Sequence, residues 1–156
     1  MKMNMYTFAT FATFATMVAI PPLATPVLAD EQSDRAGLVG SWIQPGGNNA
    51  WIIGNASDGL HITQIEGSGP VADYQCNLEG RDCDVKIGGH KASVSMYYNG
   101  SMLVQVETKG DQIVKRRFSV LPTGAAMKVE VIPMTGKAVQ TEELQFERGQ
   151  PVARKK

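Results

Sequence analysis

The sequence predicts an all-β protein, an up-and-down antiparallel meander of about eight to ten strands closed into a barrel. Three observations carry that prediction. No segment sustains a helical hydrophobic period, apolar residues alternate with period two in several runs, and turn signals recur about every eight to twelve residues. A meander of that many strands exposes two unpaired edges unless it closes on itself, and closure removes them.

Residues 91–120 give the pattern most clearly. At 91–98 the even positions Ala92, Val94 and Met96 are apolar, while Ser93 and Ser95 occupy the opposite face. The next run, 101–108, again has apolar even positions, Met102, Val104 and Val106. Joining even to even requires a three-residue loop, Tyr98-Asn99-Gly100, with Gly100 in the left-handed position of a bulge. That register pairs Met96 with Met102 and Val94 with Val104, whereas a two-residue Asn99-Gly100 turn would mix the faces. The same logic across Lys109-Gly110-Asp111 pairs Val106 with Val114 and Met102 with Phe118.

The remaining elements follow in chain order. A polar lead over 30–37 is expected to be flexible. Leu38, Gly40 and Trp42 share one face of a first short strand ended by Pro45-Gly46-Gly47. Trp51 and Ile53 mark a second, and Ser57-Asp58-Gly59 turns it into a third in which Leu60 and Ile62 alternate with His61 and Thr63. Gly67-Ser68-Gly69-Pro70 breaks that hairpin. Tyr74 and Cys76, then Cys83, Val85 and Ile87, mark the next two strands, and Gly88-Gly89 leads into the meander. After Leu121-Pro122-Thr123-Gly124, Met127, Val129 and Val131 point inward, and in the last strand Leu144, Phe146 and Arg148 share a face.

At 156 residues and 43% hydrophobic content the chain is one domain with a real core. Its first part is expected to lie outside that core. Residues 1–29 carry one early charge at Lys2, an apolar stretch with three Phe-Ala-Thr repeats, and Val27-Leu28-Ala29 before Asp30-Glu31, the marks of a secretory signal peptide. Pro21, Pro22 and Pro26 break the stretch short of the roughly 20 residues that span a bilayer. Export leaves a barrel domain at 38–148 and a short basic tail at 149–156, expected to be disordered. The formal net charge of zero gives no basis for nucleic-acid binding or for docking on an anionic membrane.

Gly40-Ser41-Trp42 in the first strand and Phe146-Glu147-Arg148 in the last resemble the lipocalin-like calycin barrels, including small exported bacterial lipocalin-like proteins. The resemblance implies that an Arg of the closing strand, here Arg148, covers the strand-one Trp, here Trp42, and seals one end. Such a stack is worth about 0.5 to 2 kcal/mol.

Cys76 and Cys83 are the only cysteines and flank a hairpin-like connection, so in an oxidising compartment they are expected to form a structural disulfide. Their spacing fits neither a metal site nor a redox motif. His61 and His90 have no partner histidine at ligand spacing, and Glu79, Asp82 and Asp84 lack a Gly-centred calcium loop and have Arg81 among them. The serines have no nucleophile-elbow context, and no acid/base pair is assembled. We therefore expect neither cofactor, nor metal, nor enzymatic activity.

Arg116 stands apart. Parity places it on the face of Val114, Phe118 and Val120, where it needs a counter-charge, a ligand anion or water; a bulged basic strip at Lys115-Arg116-Arg117 would instead leave it on the surface. The expected function is that of a non-enzymatic exported barrel holding a small, largely apolar ligand. Met96, Tyr98, Met102, Val104 and Phe118 are the candidate lining, with Arg116 as an anchor for an anionic group. On that view Arg116→Met leaves stability unchanged or raised. The alternative is a structural or protein-interaction barrel of the cell envelope with a core filled by side chains. A ligand cavity of roughly 300 Å³ or more separates the two.

Overall fold

The computed structural model describes residues 27–136 and 140–149. The leader up to residue 26 and the tail from residue 150 lie outside the described residues. A helix, α1 (Val27–Gly37), precedes ten strands: β1 (Gly40–Ile43), β2 (Ala50–Ala56), β3 (Gly59–Glu66), β4 (Gly69–Cys76), β5 (Cys83–Ile87), β6 (His90–Asn99), β7 (Met102–Lys109), β8 (Gln112–Val120), β9 (Ala126–Pro133) and β10 (Glu142–Arg148). Every neighbour in sequence is a neighbour in space, all pairs are antiparallel, and β1 pairs with both β2 and β10. The sheet is a closed up-and-down barrel.

Two elements depart from the sequence reading. The segment 30–37, expected to be a flexible lead, lies in α1. Its polar side chains are held by local pairing: Glu31 and Arg35 stand one turn apart with their charged ends 3.6 Å apart. Arg35 also donates to the Gly100 carbonyl at 2.8 Å and lies 4.8 Å over the Tyr98 ring, which docks the helix on the barrel end. Gly149, placed in the tail, extends the closing ladder by donating to the Ser41 carbonyl at 3.1 Å.

The register of the central meander is the larger correction. Asn99 pairs with Met102 across a two-residue turn, Gly100-Ser101, so Tyr98 faces Leu103, Met96 faces Gln105 and Val94 faces Glu107. Gly100 has φ +64° and no non-glycine residue has positive φ, which puts the left-handed residue first in the turn, the arrangement that suits hairpin twist. The next turn, Gly110-Asp111, is equally short and pairs Leu103 with Phe118, Gln105 with Arg116 and Glu107 with Val114. The two shifts cancel at β8, so Val114, Arg116 and Phe118 keep the face expected of them. Only β7 turns over, sending Leu103, Gln105 and Glu107 inward and Met102, Val104 and Val106 outward. Val104 is still buried on that outer face, flanked by its ladder partners Tyr97 and Arg117.

The helix-bearing end is the closed one. Leu38, Trp42, Met96, Leu103, Met127 and Phe146 are fully or almost fully buried and fill the barrel from there. Trp42 Nε1 donates to the Leu38 carbonyl at 2.8 Å, and the Arg148 guanidinium lies 4.4 Å over the Trp42 ring. The same guanidinium donates through Nε to the Gly124 carbonyl at 2.8 Å, through Nη1 to the Val39 carbonyl at 3.2 Å, and through Nη2 to the Gly37 carbonyl. Gly40 makes room for it: a Cβ there would stand 2.6 Å from Arg148 Nη1. The glycine and tryptophan of the Gly40-Ser41-Trp42 run thus answer one requirement, the seating of Arg148.

Cys76 and Cys83 are bridged, with Cα atoms 5.8 Å apart. The bridge crosses the thinnest part of the wall, where β4 and β5 share a single registered pair, Ala72 with Ile87, and Gly88 donates to Val71 at the far end. Replacing both cysteines by serine should lower unfolding stability by about 2 to 3 kcal/mol in urea denaturation. Hydrogen exchange should accelerate first in β4 and β5; uniform acceleration around the barrel would contradict the seam's local weakness.

Candidate functional site

The inner face of the open end carries polar residues where a filled barrel would have aliphatic ones. Successive inward positions on β7 are Leu103, Gln105 and Glu107, and their ladder partners on β8 are Phe118, Arg116 and Val114. Arg116 Nη1 donates to Glu107 Oε2 at 2.5 Å, with 14% and 10% of the two side chains exposed. The Arg116 guanidinium also lies 5.8 Å from the Trp51 ring, which meets Phe118 edge-on at 5.1 Å between centroids. Arg116 is therefore inside the barrel, and its counter-charge comes from the neighbouring strand.

A second polar pair lies beside the first. Gln105 is buried and its amide donates to the Tyr74 hydroxyl, leaving Gln105 Oε1 without a partner. Burial raises the Tyr74 phenol above its ordinary range; the nearby Glu107 carboxylate pushes the same way, against Arg116 and the Gln105 bond. On β3, Gln64 points inward and is only 6% exposed. Its amide nitrogen donates to Glu66 Oε1 at 2.7 Å. A carboxylate only accepts, which fixes that end of the amide as NH₂ and leaves the Oε1 lone pairs of Gln64 unanswered.

These residues meet a cavity of about 190 Å³ at the open end, walled by Trp51, Val129, Val131, Leu144 and Phe146, floored at Arg116 and Gln64, and rimmed by Glu66 and Glu142. A shallower groove of about 400 Å³ across the loops at 44–49 and 67–68 shares Asn49 and Ile65 with it. At the opposite end a wide groove of about 850 Å³ runs between α1 and the barrel, past Glu31, Arg35, Leu60, Leu78 and Tyr98.

The six residues expected to line one cavity are not brought together. Met96 and Phe118 are packed core, Met102 and Val104 belong to the outer face, and Tyr98 lies at the helix-bearing end under Arg35. Only Arg116 reaches the open-end cavity. The residues that sequence reasoning missed are Tyr74, Gln64, Gln105, Glu107, Glu66 and Glu142. One signal was present: an inward Arg needs a counter-charge, and Glu107 offers it as soon as the hairpin turn is two residues long. His61 contacts Asp73 on the outer wall and His90 is exposed at a turn; among the described residues no three His, Cys, Asp or Glu side chains gather into a metal site.

In comparisons with known proteins, no family model and no curated protein matches the chain.

Because Glu107 shares its burial with Arg116, Arg116→Met should destabilise the barrel, reversing what the sequence alone suggested. The cost of stranding one member of a buried pair is about 3 to 5 kcal/mol. Adding Glu107→Met should recover most of it in chemical denaturation, since an apolar pair of similar volume replaces both charges. A double variant as unstable as the single one would show that the pair is not the relevant interaction.

Tyr74 supplies a pH signature. Its folded pKa lies above its unfolded value of about 10, so its contribution is intact below that value and is lost as pH rises toward the folded one. Wild-type stability should fall above about pH 10 more steeply than that of Tyr74→Phe. At neutral pH the variant should be weaker by about 1 to 3 kcal/mol, because the Gln105 amide loses its bond.

Proposed function

We propose that the chain is an exported, non-enzymatic, lipocalin-like barrel that binds a compact small molecule at its open end. The observation that carries this reading is the cavity at Trp51, Gln64, Arg116 and Phe146, which combines apolar walls with buried polar groups at its floor. Ligand sites are built in that way, with few polar groups set in an apolar surround. The Trp42 and Arg148 stack at the closed end supports the calycin kinship, and the bridged cysteines support passage through an oxidising compartment.

The cavity also limits the ligand. At about 190 Å³ it falls below the roughly 300 Å³ of a drug-sized site, so a long lipid is not accommodated within the barrel. Arg116 is a poorer anion anchor than a lone guanidinium because Glu107 already balances its charge. The second reading, an envelope barrel with a side-chain-filled interior, draws on the near-complete burial of the residues from Leu38 to Phe146.

Titration with a compact neutral aromatic, 2-phenylethanol, followed by NMR of the two indole N–H signals, separates the readings. Binding at the open end should shift the Trp51 signal saturably, leave Trp42 unmoved, and be lost on filling the cavity with Val131→Phe. An absence of saturable shift in the folded protein would favour the filled barrel.

A further inference from the structure

The polar groups at the open end are matched for a donor, and this sets the chemistry of what binds there. Gln64 Oε1 is an acceptor on a side chain 6% exposed, with no partner, in the lining of the cavity. A buried carbonyl left unpaired is costly, so a ligand N–H or O–H that reaches it recovers free energy that an apolar contact cannot. Around it the charge is unbalanced toward acid. Glu66 and Glu142 stand on the rim on the inward parity of their strands, two residues along from Gln64 and Leu144. Arg116 does not offset them, because Glu107 takes its charge.

We infer that the open-end cavity selects a compact primary amine in its ammonium form, carried on an apolar or aromatic body. An ammonium has three donors and no acceptor. One satisfies Gln64 Oε1, and the others face the rim carboxylates of Glu66 and Glu142. The body lies against Trp51, Val131, Leu144 and Phe146. A carboxylate of the same size meets the unpaired carbonyl and both rim charges with like polarity, the repulsive element that specificity requires. This rests on the small-molecule reading of the cavity and deepens it.

Three probes of nearly equal shape test it against the folded, disulfide-bonded protein at pH 7: 2-phenylethylamine, 2-phenylethanol and 3-phenylpropanoate, each titrated by calorimetry and by the Trp51 indole signal. The amine should bind at least about tenfold more tightly than the alcohol, as charge-assisted hydrogen bonds allow, and the carboxylate most weakly. Gln64→Leu and Glu142→Gln should each bring the amine toward the alcohol while leaving the alcohol's affinity nearly unchanged. Equal or tighter binding of the alcohol or the carboxylate would overturn the amine assignment and leave the cavity reading standing. Failure of all three to bind would overturn both.

Discussion

The barrel depends on how its first and last strands are joined, and the Arg148 guanidinium over the Trp42 indole is the interaction that joins them. β1 and β10 share only two registered pairs, Trp42 with Arg148 and Ile43 with Glu147, far too few to hold a seam by backbone hydrogen bonds alone. Arg148 adds bonds to three separate carbonyls, at the end of α1, before β1 and in the turn between β8 and β9. A planar fork of fixed donors suits that task; an ammonium on a flexible stem would not hold three carbonyls and a ring face together. Its position at the C-terminal end of α1 also complements the partial negative charge of the helix terminus. The other thin seam, between β4 and β5, is closed covalently by Cys76 and Cys83. The ladders around the rest of the barrel run longer, so the wall is reinforced by side chains where its backbone pairing is weakest.

A different constraint governs the interior of the open end. Tyr74, Gln64, Gln105, Glu107 and Arg116 bring polar groups into a space that aliphatic residues would fill at less cost, because buried ion pairs rarely repay their desolvation. Two of the groups, Gln64 Oε1 and Gln105 Oε1, are left unpaired. Half-satisfied networks of this sort are destabilising relative to an apolar core, and natural sequences break local consistency chiefly at functional sites. That is the physical ground for placing function at the open end rather than in the groove beside α1, where Arg35, Glu31 and Tyr98 engage one another and dock the helix.

How much was legible in the sequence follows the same division. The barrel, its ten strands and their order could be read because each run of alternating apolar residues lies between short turns, and because every strand pairs with its sequence neighbour. The seal was legible because Gly40, Trp42 and Arg148 are unusual residues at the two ends of the domain. The candidate site was not. Its register rests on β7, where Met102, Val104 and Val106 look like the core face and Gln105 and Glu107 like the solvent face. Alternation ranks faces by polarity alone, and a strand whose polar face is turned inward defeats it. The structure can invert β7 because Glu107 meets Arg116, Gln105 meets Tyr74, and Val104 is covered outside between Tyr97 and Arg117. None of those compensations lies on β7, so no reading of that strand by itself finds them. The helix over 30–37 was missed for a related reason: Arg35 is held by the Tyr98 ring and the Gly100 carbonyl, far away in sequence.

The two ends of the barrel are therefore coupled through the stability of the whole. A buried polar cluster with unpaired carbonyls can persist only when the rest of the fold holds enough free energy in reserve, and native domains have little to spare. Here that reserve comes from the other end, where Trp42, Phe146, Met127 and Leu38 are completely or almost completely buried beneath Arg148, and from the disulfide across the β4 and β5 seam. Weakening either support removes stability without touching the open-end residues, yet the open end is where the loss would surface first, because its inner groups are the least satisfied. A ligand that pairs Gln64 Oε1 acts in the opposite sense. It removes part of the cluster's cost and stabilises the folded barrel in proportion to its occupancy, so ligand affinity and thermal stability are linked through one unpaired carbonyl.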